Sequence, residues 1–223
     1  MSAMELCRRE PTGDEVSIEF ESCTGGTRQV ASADLPTRWG QFRALGFERA
    51  IEGGCVETAM VLIMGDISTG APLVRIHSQC LTGDVFGSLR CDCGEQLNRA
   101  MKLIAEDGAG ILIYEKQEGR GIGLMAKLQA YELQDGGLDT VEANQHLGLA
   151  VDCRDFALPV EILKHLGVER LRLLTNNPQK VAAVANAGIE VVERLSCEVP
   201  PSRHALSYMT TKKLKMGHVL TMV

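Results

Sequence analysis

From Cys93 onward the chain alternates between helical and extended periodicity, and this alternation restricts its fold more than any other feature. "CGEQLNRAMKLIAEDG" has apolar residues at helical spacing and stops at a glycine. "GILIYEKQ" is a short apolar run of the buried-strand kind, and "GLMAKLQAYELQDGG" is again helical, ending in glycines. The order then repeats: "ERLRLLTNN" reads as strand, "PQKVAAVANAG" as a helix begun by proline and closed by glycine, and "IEVVERLS" as strand. Strands separated by helices bury their apolar faces as layers, so the fold class is α/β, a layered α/β/α core with a mixed sheet. Upstream, "TRWGQFRALGFER", "ETAMVLIMGDIS" and "PLVRIHSQC" are short apolar or alternating runs broken by turn residues, which predicts an antiparallel β-rich N-terminal part. Residues 1–30 are polar without a sustained period and read as a loosely held arm, leaving residues 31–223 as a single domain. The tail "HALSYMTTKKLKMGHVL" predicts a last helix with Lys212, Lys213 and Lys215 on its solvent side.

With 223 residues, 45% of them hydrophobic, the chain can bury a substantial core but has no room for a second fused enzyme. Its net charge of -6 and pI near 5.4 argue against nucleic acid or an anionic membrane as partner. Any phosphate it binds must be held by a few local positive groups. No apolar run approaches the roughly 20 residues that span a bilayer, and the first residues lack an apolar signal core. A cytoplasmic location is expected. Of the eight cysteines, Cys7, Cys23, Cys55, Cys153 and Cys197 have no clustered neighbours and read as buried or incidental thiols rather than disulfide partners.

The other three are different. "RIHSQCLTGDVFGSLRCDCGEQL" sets Cys80, Cys91 and Cys93 at C-x10-C-x-C, with Cys80 ending a strand and the close pair at the mouth of the next helix. Three thiolates can hold a zinc ion and leave its fourth position for water, which the metal makes acidic enough to act as a nucleophile near neutral pH. The alternative is a closed structural site with His77 or a distant cysteine as fourth ligand. A closed zinc ribbon usually shows two C-x2-C hooks, and here there is one tight pair.

Three further segments carry polar groups, the last of them (LTNNPQK) at the crevice position where α/β sheets bind ligands or else in a simple N-cap loop. "YEKQEGRGIGLMAK" lies between strand and helix but fits neither the dinucleotide fingerprint nor the P-loop; Glu118 and Arg120 flank its flexible backbone, a place suited to an anion or a base edge, or else an ordinary tight turn. "VDCRDF" places Asp152 and Arg154 on one face if extended, which taken alone reads as an ion pair. "LTNNPQK" puts Thr175, Asn176 and Asn177 at a strand end, with Lys180 in the first turn of a proline-started helix.

Together with "LPTRWGQF" and "KLQAYELQDGGLDTVEAN", these segments resemble GTP cyclohydrolase II in order and spacing over roughly residues 35–195. The resemblance implies hydrolysis of GTP to a diaminopyrimidinone ribosylamino phosphate, formate and pyrophosphate, the first step toward riboflavin or a related pyrimidine- or pteridine-derived metabolite, by a homodimer. It implies that Cys80, Cys91 and Cys93 hold one catalytic Zn2+ whose water attacks C8 of guanine, and that Mg2+ accompanies the triphosphate. It implies GTP contacts at Arg75, Ile76, His77, Ser78, Gln79, Gln96, Glu118, Gly119, Arg120, Thr140, Thr175 and Lys180. Asp152 matches the proton acceptor, Arg154 the nucleophile toward the α-phosphate, and Tyr131 a tyrosine tied to deformylation. An arginine is a poor nucleophile because its pKa exceeds 12, so a neighbouring carboxylate is the least it needs.

The chain departs from the family at Gln79, where a glutamate is usual before the first zinc cysteine. It departs again in "VPPSRHALSYMTTKKLKMGH", which keeps only a Y-x-x-T-K-x-x-K-x-G-H frame. Two rivals frame the reading. A zinc nucleobase deaminase needs H-x-E with P-C-x-x-C, whereas His77-Ser78-Gln79 lacks the glutamate and Cys91-Asp92-Cys93 has other spacing. A non-catalytic zinc-binding or nucleic-acid module is opposed by the acidic pI and the few aromatics.

Overall fold

A computed structural model describes residues 26–51, 55–150 and 152–223. The expected arm lies mostly outside these residues, although β1 (Thr27–Thr37) already takes in its last positions. β1, β2 (Gly40–Ala50) and β3 (Val56–Met64) form an antiparallel meander, and β4 is Leu73–Ser78. After the short helix α1 (Leu81–Asp84) come α2 (Cys93–Asp107), β5 (Gly110–Glu115), a 3-10 turn at Glu118–Gly121 and α3 (Leu124–Asp135). The chain continues through α4 (Thr140–His146), α5 (Ala157–His165), β6 (Arg170–Leu174), α6 (Pro178–Asn186), β7 (Glu190–Leu195) and α7 (Leu206–Met216).

All seven strands join one mixed sheet in the order β1-β2-β3-β5-β4-β6-β7. The expected N-terminal antiparallel part is therefore continuous with the α/β core, through the antiparallel pairing of β3 with β5. "PLVRIHSQC" does not extend the meander: β4 runs parallel to both β5 and β6. Leu73 to His77 are all buried, as in an internal parallel strand covered on both faces, and the polar Arg75 and His77 hid that signature in the sequence.

Alternation along the strands divides the core in two. Phe47, Val61, Val74, Ile76, Ile111 and Ile113 pack on one face against Leu158, Ile162 and Leu163 of α5 and Val184 of α6. Phe42, Leu62, Leu73 and Leu112 pack on the other against Ala100, Met101 and Ile104, the apolar stripe of α2. Gly108, left-handed at φ 79°, ends α2 and accounts for the glycine stop in the sequence. Because α2 covers one face and α5 and α6 the other, the connections diverge about β4 and β6, and a crevice opens at the carboxyl ends of the strands there. α7 departs from expectation at one lysine. Lys213 and Lys215 face solvent, but Lys212 is buried because it lies four residues after Tyr208 and three after Met209, on the face turned to the body of the protein.

Candidate active site

The crevice is a cavity bounded by the ends of β4, β5 and β6, the cysteine loop, the glycine turn and α7. Cys80, Cys91 and Cys93 meet on one side, their sulfurs all within 4.8 Å of one another, with Cys80 Sγ 3.7 Å from Cys91 Sγ. Among the described residues no histidine or carboxylate joins them as a fourth donor. Two glycines make this packing possible. A Cβ on Gly83 would stand 2.9 Å from Cys91 Sγ and 3.2 Å from Cys80 Sγ, and one on Gly94 would stand 2.3 Å from the Gly83 carbonyl oxygen. Hydrogen bonds from Cys91 and Cys93, with the nearby Lys127 ammonium, hold the Cys80 thiol far below its ordinary pKa. The same sharing, with burial, pushes Cys91 and Cys93 up. One thiolate supported by two thiols is a proton-filled arrangement that a divalent cation would displace, so the donor set fits zinc.

Asp84, at the end of α1, fastens this loop to the sheet. Its carboxylate accepts from the Cys80 N–H and the Tyr114 hydroxyl, each at 2.9 Å, and lies 3.1 Å from His77 Nε2. Burial lowers the His77 pKa, so the ring is neutral. With Nε2–H given to Asp84, Nδ1 has no partner within the protein.

The glycine turn forms the opposite wall. Gly119, Arg120 and Gly121 all have left-handed backbone, at φ 60°, 63° and 88°, and Arg120 is the one non-glycine residue among the described residues to do so. Glu118 accepts from the Leu81 N–H at 2.6 Å and from Lys127 Nζ at 2.7 Å. Lys127 also reaches Cys80 Sγ at 3.1 Å and Thr82 Oγ1 at 2.9 Å, which ties the turn to the cysteines. Tyr131, one helical turn beyond Lys127, lines the cavity under the Arg90 guanidinium, and burial pushes its phenol up to about 12.

At the floor, Lys180 is buried and donates to the Ile76 carbonyl at 2.8 Å and to Ser78 Oγ at 3.2 Å, with Glu115 Oε1 at 3.9 Å. Desolvation pulls the Lys180 pKa down and the Glu115 pKa up, each countered in part by the other's charge. Arg75 spends its terminal nitrogens on the Leu174 carbonyl, 3.0 Å, and Gln96 Oε1, 2.7 Å. Arg154 meets Asp152 through two bonds of 2.9 and 2.5 Å. Burial would raise the Asp152 pKa, but this arginine outweighs it and the net shift is downward; Arg154 in turn is raised, so the pair is ionised.

Of the residues expected to touch substrate, Arg75, His77, Ser78, Gln79, Gln96, Glu118, Gly119, Arg120, Thr140, Thr175 and Lys180 line one cavity with the three cysteines and Tyr131. Ile76 does not. Its side chain is core, and only its carbonyl serves the site, through Lys180. Arg154 lines the cavity as well as an adjoining depression, and Asp152 opens only onto the latter. Sequence reasoning missed Lys127, Asp84 and Glu115, and it missed that Tyr208, Lys212 and His218 of the tail close the cavity. Buried nitrogens of Arg120 (both terminal), Asn176 and Asn177 have no hydrogen-bond partner. Each orphaned donor costs about 1–3 kcal/mol unless a ligand meets it, so the cavity is prepared for an acceptor-rich, anionic guest.

The sequence profile described as GTP cyclohydrolase II matches residues 27–196. Among similar proteins, the "Riboflavin biosynthesis protein RibBA" of Bacillus mycoides (strain KBAB4) is 50% identical over 197 residues, 88% of this chain and 49% of that one. Its namesake in Bacillus cytotoxicus (strain DSM 22905 / CIP 110041 / 391-98 / NVH 391-98) is 50% identical over 189 residues, 84% of this chain and 47% of that one. The chain spans about half the length of the curated relatives it matches.

Proposed function

The chain belongs to the GTP cyclohydrolase II family, and from that premise we propose that it hydrolyses GTP to 2,5-diamino-6-(5-phosphoribosylamino)pyrimidin-4(3H)-one, formate and pyrophosphate, on the way to riboflavin. One observation carries this reading: three clustered thiols and a set of unpartnered cationic and amide donors face the same cavity. Cys80, Cys91 and Cys93 would hold Zn2+, which supplies a Lewis acid and a water of lowered pKa. Arg120 and Lys180, with Mg2+ accompanying the triphosphate, offset the charge of the phosphates. Glu118, oriented by Lys127 and the Leu81 N–H, can accept hydrogen bonds from the donor edge of a guanine.

Arg154 and Asp152 take the roles of nucleophile toward the α-phosphate and proton acceptor. As they stand, both are charged, so Arg154 binds a phosphate electrostatically until Asp152 takes its proton. Tyr131 remains a neutral hydroxyl at physiological pH and can donate a proton during deformylation. Residues 31–223 act as one catalytic domain, working as a homodimer in the cytoplasm. Among the described residues no helix is long and apolar enough to cross a membrane.

The test is direct. Pure protein is incubated with GTP, Mg2+ and Zn2+, and the products are identified by mass spectrometry. Formate and pyrophosphate in equal amounts are expected. Ammonia in place of formate would move the chain to a deaminase-type hydrolase, and unchanged GTP would leave a zinc-binding module.

A further inference from the structure

The family profile ends at residue 196, yet the cavity is closed by residues beyond it. The tail is fastened at several points. The Val219 N–H donates to the Asn176 carbonyl at 3.0 Å, Ser202 Oγ to the Leu89 carbonyl at 2.9 Å, and Lys212 Nζ to Asp92 Oδ1 at 2.9 Å. Asp92 stands between two of the clustered cysteines, so α7 is tied to the metal-ligand loop itself. Glu198 secures the last turn by accepting from the N–H groups of Thr221 and Met222 at 2.8 and 2.9 Å.

This docking brings the ring of Tyr208 against two cations. The Arg120 guanidinium carbon lies 5.2 Å from the ring centroid, and Lys212 Nζ lies 4.6 Å from it. Arg120 sits between two glycines in a left-handed turn, its carbonyl accepting from the Cys153 N–H at 2.9 Å, so the backbone is fixed and the long side chain is left to be aimed. Neither of its terminal nitrogens has a hydrogen-bond partner. A carboxylate could have oriented the guanidinium, but only by consuming those N–H groups and cancelling the charge. An aromatic face attracts the cation and leaves the hydrogen-bonding edge unspent.

We propose that Tyr208 is a positioning residue for the anionic end of the substrate: its ring holds Arg120 with the terminal N–H groups presented to the cavity, which makes α7 part of the binding site. The inference rests on the GTP reading for the identity of the substrate, but its mechanism concerns any polyphosphate that reaches Arg120. Tyr208→Leu keeps an apolar side chain and removes the π face, whereas Tyr208→Phe keeps the face and removes the hydroxyl.

The experiment uses the zinc-loaded full chain. It measures the Kd of inorganic triphosphate by calorimetry and the KM of GTP by formate release. Tyr208→Leu is expected to weaken both by about 3- to 30-fold, the range of a cation–π contact from exposed to desolvated. Tyr208→Phe should stay within about twofold of the parent, since the ring face carries the interaction. In an Arg120→Leu background, Tyr208→Leu should have no further effect, a coupling that mere packing of α7 would not produce. Tyr208→Met replaces the leucine variant if a thermal melt shows that the latter does not fold. Parent-like binding without the ring, a phenylalanine variant as weak as the leucine one, additive losses in the double variant, or a parent that binds no triphosphate would each overturn the proposal. A parent that binds triphosphate but leaves GTP intact would instead defeat the GTP reading, and the triphosphate measurement would still decide the role of Tyr208.

Discussion

The antiparallel strands β1 to β3 and the parallel strands around β4 share one sheet but differ in what they bury. In the meander the buried residues are all apolar: Phe42, Leu45, Phe47, Ala59, Val61 and Leu62. Every buried polar or charged residue among the described residues comes later in the chain, with Arg75 and His77 on β4, Glu115 on β5, Thr175 to Asn177 after β6, and Lys180 on α6 among them. No residue of β1, β2 or β3 lines the cavity. Geometry accounts for the difference. β1 turns back into β2 within two residues, so nothing at that end can be built outward. A parallel strand must return through a long crossover, and the connections leaving β4, β5 and β6 supply the cysteine loop, the glycine turn and the lysine of α6. Burying charge costs free energy unless it is paired, and here that cost falls where the ligand arrives.

If the comparison holds, perturbing the crevice should remove chemistry without unfolding the chain, while perturbing the meander should do the reverse. The largest effect on activity is expected from Cys91→Ser. Two sulfurs cannot hold an open three-ligand site, so metal content should fall from about one zinc per chain to a small fraction, and formate release should drop below detection. Elemental analysis beside the formate assay checks both. Undiminished formate release would end the assignment of the cluster to the reaction.

Arg154→Ala comes next. The side chain is positively charged, half-buried and lines the cavity, so its loss should lower pyrophosphate release by about 10²- to 10³-fold, as when one pre-aimed donor is removed from an active site, with zinc retained. Asp152 would be left as an unpaired, largely buried carboxylate, and its pKa, now depressed by the arginine, should rise. Pyrophosphate release equal to the parent's would make the Asp152–Arg154 contact a structural ion pair.

How much of this was legible in the sequence depends on whether a signal is local. Cys80, Cys91 and Cys93 announced themselves because the donors lie close together in the chain, and the helix and strand periods after Cys93 survive into α2, β5, α3, β6, α6 and β7. Glu115 is one acid at the end of an apolar strand and Lys127 one lysine on a helix. Nothing in their spacing shows that Ser78 and Lys180 from other elements surround the first, or that Cys80 and Glu118 receive the second. Lys212 was misassigned for a related reason: a lysine near two others reads as a solvated face, and its burial rests on the distant Asp92 together with the Tyr208 ring. Gly83 and Gly94 carry no signal of their own in the sequence, although the approach of the sulfurs and of the Gly83 carbonyl excludes a Cβ at either.

A smaller effect is expected at Gln79, which stands where the resemblance leads one to expect glutamate. Its backbone N–H is committed to the Glu115 carbonyl at 2.8 Å and its residue lines the cavity beside Cys80. An amide can give and accept hydrogen bonds but cannot take a proton at neutral pH. If the position only orients substrate, Gln79→Glu should change steady-state formate release by less than about tenfold, below the 10²- to 10⁴-fold typical of general acid–base groups. Glu118, Asp152 and Tyr131 already offer groups for the proton transfers. A larger gain at saturating GTP and fixed Mg2+ would mean that this chain runs with a missing acid and that the crevice is slower than its architecture permits.

The smallest effect on catalysis per folded molecule, paired with a large effect on stability, is expected from Phe47→Ala. Phe47 is 1% exposed on β2, meets the His165 ring of α5 edge-on at 5.2 Å, and belongs to the core on the α5 face. Truncating it removes a large apolar side chain and leaves a cavity, which typically costs about 3–5 kcal/mol. For a chain of this size that corresponds to a fall in Tm of about 6–20 °C. A route to the site does exist, because Phe47 pairs with Ala59 of β3 and Ala59 pairs with Glu115 of β5. Glu115, however, is held on its far side by Ser78 at 2.7 Å, Gln117 at 3.1 Å and the Lys180 charge, all of them independent of the meander. Well below the new Tm, kcat/KM for GTP should therefore stay within about twofold of the parent, since distant sites without shared partners act independently. A thermal melt and a kinetic assay on the same preparation separate the two quantities. A loss of kcat/KM beyond about tenfold in protein that is still folded would show that β3 transmits strain to Glu115, and the meander would then have to count as part of the catalytic apparatus rather than its support.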